Sequence, residues 1–217
     1  MIMSRLRRAL ALACCLLLGA CAAALEFATA DPPRLYDLTP KSTFADDLPE
    51  VPGRLSVEVP TATAGLNSAR IALRPTPTTL EYYAGASWID VVPVMVQNLL
   101  LESLDNTGKI DVLGREVVGV RADLALLTHV REFQAEYDTA GPPLVRIRLQ
   151  ARLIRLPRRT SIAATSEEFV VRASNTSLPA IVNAFDEAFG KALKRIVEWA
   201  VIEAARAQTE AVSTRPT

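Results

Sequence analysis

The segment VRIRLQARL, residues 145–153, alternates without a break. Val145, Ile147, Leu149, Ala151 and Leu153 fall on one side, and Arg146, Arg148, Gln150 and Arg152 on the other. Successive side chains of a strand point to opposite faces, so this is a half-buried strand with one face left to solvent. Upstream, Asp123–Tyr137 alternates too, with Leu124, Leu126, Thr128 and Val130 on one face. Its phase then moves to Phe133, Ala135 and Tyr137, which a bulge near Arg131 and Glu132 would produce. Residues 138–143, with Gly141 and two prolines, read as the turn between these strands. Downstream of Leu156-Pro157-Arg158-Arg159 the chain returns through Ile162 and Ala164 to Phe169 and Val171. Three long strands in sequence make an antiparallel meander with one buried face.

Shorter strand candidates precede it at 35–38, 54–59, 69–73, 79–83 and 110–113. The second of these puts Leu55, Val57 and Val59 on one side. Ser87 is suited to cap a helix whose apolar positions are Trp88, Val91, Val92, Met95, Val96, Leu99, Leu100 and Leu104, with Gly108 as its stop. A second helix spans 178–206, where Ile181, Phe185, Ala188, Phe189, Ala192, Ile196, Trp199 and Ala200 track one side. Pro179 is tolerated in its first turn. The expected fold class is α+β: a largely antiparallel (mixed) β-sheet with two main helices packed on one face.

The amino terminus carries an address. Arg5, Arg7 and Arg8 precede the apolar run from Ala9 to Leu18, which is shorter than the roughly 20 residues that span a bilayer. Basic start, short apolar centre and small-residue end are the layout of a secretory signal over 1–20. Leu18-Gly19-Ala20-Cys21 then looks like a bacterial lipobox, which implies cleavage after Ala20 and a lipid on the Cys21 sulfur. Several acyl chains together anchor firmly where one does so only marginally. Residue 22 is Ala rather than the Asp that retains lipoproteins at the inner membrane of enteric bacteria, so the expected location is the periplasmic face of the outer membrane, lipid-anchored. Residues 21–34 read as a lipidated tether, 35–206 as the folded domain and 207–217 as a disordered tail.

Over the whole chain 24 basic residues balance 24 acidic ones. Loss of 1–20 removes three Arg and no acid, leaving 21 against 24. A nucleic-acid binder would show the opposite bias. His129 is the sole histidine, and only Cys21 of the three cysteines survives signal removal. Nucleophilic or metal catalysis therefore has little to build on, and no catalytic residue, metal ligand or cofactor is assigned. Phe189-Gly190-Lys191 lacks the flanking Gly and Ser/Thr of a phosphate loop, since Phe185 and Ala192 stand there. Two features could serve binding. Arg146, Arg148 and Arg152 form a basic row, either a solvated face paired with Glu132 and Glu136 or a surface for an acidic partner or headgroups. Tyr82, Tyr83 and Trp88 form an aromatic group, either core packing or a pocket or partner-facing edge.

The chain resembles the ABC-type transport auxiliary lipoproteins, components like the paraquat-inducible lipoproteins of mammalian-cell-entry (MCE) intermembrane transport systems. The matching stretches are Tyr36-Asp37-Leu38, Leu80 to Trp88, Val94 to Gly108, Leu126 to Glu136, Val145 to Leu156 and Ile181 to Trp199. Members often follow the Trp with Glu-Pro, whereas here Ile89-Asp90 intervenes before Pro93. The resemblance implies a non-enzymatic docking partner for an MCE-domain protein, with an ABC permease and ATPase, in moving phospholipid or other hydrophobic molecules between membranes. An outer-membrane assembly lipoprotein and a periplasmic lipid-binding carrier are the rival readings. The meander's edge strands leave a homo-oligomer open.

Overall fold

The computed structural model describes residues 32–114, 121–138 and 140–213. Its elements are β1 (Arg34–Tyr36), β2 (Arg54–Val57), β3 (Thr61–Ala62), β4 (Arg70–Thr76), β5 (Thr79–Trp88), α1 (Val92–Asp105), β6 (Asp111–Leu113), β7 (Leu124–Glu136), β8 (Leu144–Arg155), β9 (Thr160–Arg172) and α2 (Leu178–Ser213). The meander is present as β7–β8–β9, antiparallel throughout. Its register shifts between Val130 and Glu132, where the change of hydrophobic phase had placed a bulge. Val145, Ile147, Leu149, Ala151 and Leu153 are all buried, as their alternation requires.

The other edge of β7 is shared. β2, β3 and β4 line it one after another, each parallel to it, aligning Leu55 with Leu124, Thr61 with His129 and Ala72 with Gln134. β6 extends the sheet beyond β2 in parallel, and β5 pairs antiparallel with β4. β1 flanks β5, where the Ile89 N–H donates to the Tyr36 carbonyl at 2.8 Å. Among the described residues the result is a mixed, open nine-stranded sheet. Helix α2 packs over β8 and β9, and α1 packs beside it against β2 and β6.

Apolar burial holds these layers together. Ile181, Phe185, Phe189, Leu193 and Ile196 of α2 are wholly buried against the inner faces of β7 and β8. Trp88 meets Phe185 and Phe133 edge-on, with ring centroids 5.1 and 5.8 Å away, and Phe133 meets Phe189 at 5.7 Å. Such edge-to-face pairs add about 0.5–1.5 kcal/mol each beyond the area they bury.

Four expectations are corrected. Ser87 does not cap a helix: it lies in β5 opposite Arg70, and the Trp88 N–H donates to the Ala69 carbonyl at 2.7 Å. Gly85, at φ +65°, lets β5 take an irregular register and run on to Trp88. Helix α1 starts at Val92, without a side-chain cap and with Pro93 in its first turn, where the missing N–H is not needed. Trp88 thus reaches the core from a strand. Val59 is 45% exposed, because β2 ends at Val57. At the other end α2 runs to Ser213, so residues 207–213, assigned to the tail, are helical. Ala207 is buried, and its carbonyl accepts from Arg155 Nη2 at 2.7 Å.

Candidate functional site

Cys21 and the signal segment lie outside the described residues. The remaining candidate residues fall on the meander and on β5. On the face of β7–β9 turned away from the helices, the register sets side chains in cross-strand rungs. One rung is Glu132, Arg148 and Glu168. Arg148 Nη2 lies 2.8 Å from Glu168, and its Nε lies 3.1 Å from Glu132 without hydrogen-bond alignment. Arg146 bonds Glu136 at 3.0 Å and also reaches Glu168. Burial works against the Arg146 charge, but the bonds to Glu136 and Glu168 outweigh it and raise its pKa. Two of the three arginines in the predicted basic row are therefore held in a charge ladder. Partly exposed pairs of this kind contribute about 0–1 kcal/mol each.

Arg152 is different. Its cross-strand neighbours are Leu127 and Ala164, and it makes no ion pair among the described residues. The rung between it and the ladder is His129, Gln150 and Ser166. These two rungs border a surface recess of about 490 Å³. His129 Nδ1 lies 2.7 Å from the Thr61 hydroxyl, while its Nε2 is buried without a partner. Desolvation, and then the nearby Arg131 charge, lower its pKa from 6.5. Arg131 Nε donates to Gln150 Oε1 at 2.8 Å, which leaves the Gln150 amide protons free for another acceptor.

His129 thus faces the polar side of its strand, as its alternation indicates, and its Nδ1 meets the Thr61 hydroxyl rather than the carboxylate of a catalytic triad. Among the described residues no His, Cys, Asp and Glu side chains gather in threes as a metal site needs. The Phe189-Gly190-Lys191 segment lies within α2.

The aromatic trio goes to separate places. Trp88 is in the core, 1% exposed. Tyr82 donates to the Gly65 carbonyl at 2.9 Å and carries Arg70 over its ring at 3.6 Å, a cation–π contact. Tyr83 bonds the Tyr137 hydroxyl at 3.0 Å, and burial with that bond pushes its pKa far up. These three side chains do not line one pocket. The His129–Gln150–Arg152 recess escaped the sequence reading because His129 joins Gln150 and Arg152 only through the β7–β8 register. The unbroken alternation of β8 and the phase shift in β7 were its only signals.

Comparison with known proteins places this geometry. An uncharacterized protein of Bradyrhizobium diazoefficiens, bll6063, is 28% identical over 167 residues, 77% of this chain. The chain spans 44% of that relative's length. Among solved structures, protein XCC0632 from Xanthomonas campestris is 27% identical with a TM-score of 0.76, covering 81% of this chain and 99% of that one. A second, uncharacterized protein shares the fold at a TM-score of 0.60 and 14% identity, covering 77% of this chain and 97% of its own. The family model described as the ABC-type transport auxiliary lipoprotein component matches residues 36–197, from β1 through most of α2, and the chain belongs to that family.

Proposed function

We propose that this chain is anchored by lipid on Cys21 to the periplasmic face of the outer membrane, where it docks the MCE-domain protein of an ABC transport system that moves phospholipid or other hydrophobic molecules between membranes. The observation that carries this reading is the family match, which runs through the sheet and both helices. The lipobox at 18–21 and Ala22 support the anchor and its location. The permease and ATPase of the system supply the energy, and this chain supplies position. Its tether of about a dozen residues spans at most about 45 Å extended and about 20 Å as coil, enough to hold the domain beside the bilayer.

A photo-crosslinking amino acid placed in intact cells at Val170, an exposed position on the edge strand β9, and at other exposed positions tests the partnership. The expected product is an adduct with an MCE-domain protein. Adducts only with barrel-assembly or lipopolysaccharide-export proteins would replace this reading with the assembly-lipoprotein one.

A further inference from the structure

The helix-free face of the meander changes character between adjacent rungs. At Glu132–Arg148–Glu168 every cation has a carboxylate across the strand. At Leu127–Arg152–Ala164 the cation has an apolar neighbour on either side. Among the described residues nothing engages the Arg152 guanidinium, so its fork is open to a ligand. The rung beside it adds donors. His129 lines the same recess, its Nδ1 2.7 Å from the Thr61 hydroxyl and its Nε2 buried with no partner among the described residues. Gln150, its carbonyl oxygen taken by Arg131, presents its amide protons, and Ser166 presents a hydroxyl.

An acceptor-only group satisfies all of these donors at once. A guanidinium fork with several N–H and O–H donors suits a phosphate, whose oxygens accept from several directions. The recess, at about 490 Å³, is several times the size of a phosphate ion, and Leu127 and Ala164 give it apolar walls. An ester with an organic portion fills it better than a bare ion. It opens to solvent, so acyl chains need not enter. We infer that this recess binds the glycerophosphate headgroup of a phospholipid, with Arg152 holding the phosphate and the Gln150 amide and Ser166 hydroxyl donating to its oxygens. The inference rests on the lipid-moving reading above and gives that reading a contact with its cargo.

The test is an NMR titration of the full chain, purified from membranes in a neutral detergent, with glycerophosphoglycerol, inorganic phosphate and glycerol. The expected result is saturable shifts at Leu127, His129, Gln150 and Arg152 with glycerophosphoglycerol, several-fold weaker binding of inorganic phosphate and no response to glycerol. Arg152→Gln should weaken the diester at least tenfold, and Arg158→Gln, in the exposed β8–β9 turn, should leave it unchanged. Equal affinity for inorganic phosphate would make this a free-phosphate site and overturn the headgroup assignment. Absent saturation, an unaffected Arg152→Gln, or an equal loss in Arg158→Gln would overturn the recess itself. The titration needs no transporter, so its failure and failure of the crosslink are separate results.

Discussion

At the scale of single residues, His129 shows how much the environment of one side chain decides. Burial disfavours its imidazolium and Arg131 repels it, so the folded chain takes up this proton at lower pH than the unfolded chain does near 6.5. The stability that follows is fully present above 6.5 and is lost as pH falls through the lower folded value. The melting temperature of the wild type, measured against His129→Gln, should therefore decline between about pH 7.5 and about pH 5. A difference that stays level would mean that the ring titrates alike in both states. Arg148 and Arg152 make the same point about charge. Both are arginines on the outer side of one strand, yet one sits between two glutamates and the other between Leu127 and Ala164. Their alternation was legible in the sequence, as was pairing with Glu132 and Glu136. Which arginine stays unpaired was not, because that depends on where the β7 bulge sets the register.

At the scale of elements, α2 offers a direct test of propensity. Gly190 lies inside the helix, where a Cβ would meet no atom within 4 Å. Glycine costs a helix interior about 1 kcal/mol relative to alanine, so Gly190→Ala should stabilise the protein by about 0.5–1 kcal/mol, read as a higher urea midpoint at unchanged slope. A lower midpoint would reveal a close approach that the open surroundings of Gly190 do not suggest. The meander and both helices could be read from periodicity because each is long and buries one continuous stripe. The start of α1 could not. Ser87 has the chemistry of a cap, but it is held in β5 by pairing with β4, a tertiary contact that outweighs local preference. The parallel pairing of β2 and β4 with β7 was equally hidden, because strands of four and seven residues carry no mark of their partner. The end of α2 was missed for another reason. Polar residues beyond Arg206 resembled a fraying tail, while Ala207 is buried and its carbonyl is bound by Arg155.

At the scale of the whole molecule, the proposed anchor makes a prediction that the folded domain alone does not. No helix among the described residues is long and apolar enough to cross a membrane. If Cys21 carries the lipid, Cys21→Ser should leave the protein soluble or with its signal uncleaved, and should abolish its transport role. Fractionation with a complementation assay reads both, and full activity from a soluble variant would remove anchoring from the account. The shared edge of β7 has its own consequence, one of timing. Leu55, Thr61 and Ala72 pair with residues 124, 129 and 134, more than sixty positions later in the chain. A polypeptide that emerges amino terminus first exposes β2, β3 and β4 long before their common template exists. None of these strands is long enough to persist alone. Such high contact order favours slow assembly, and the apolar faces of these early strands stay uncovered until β7 arrives.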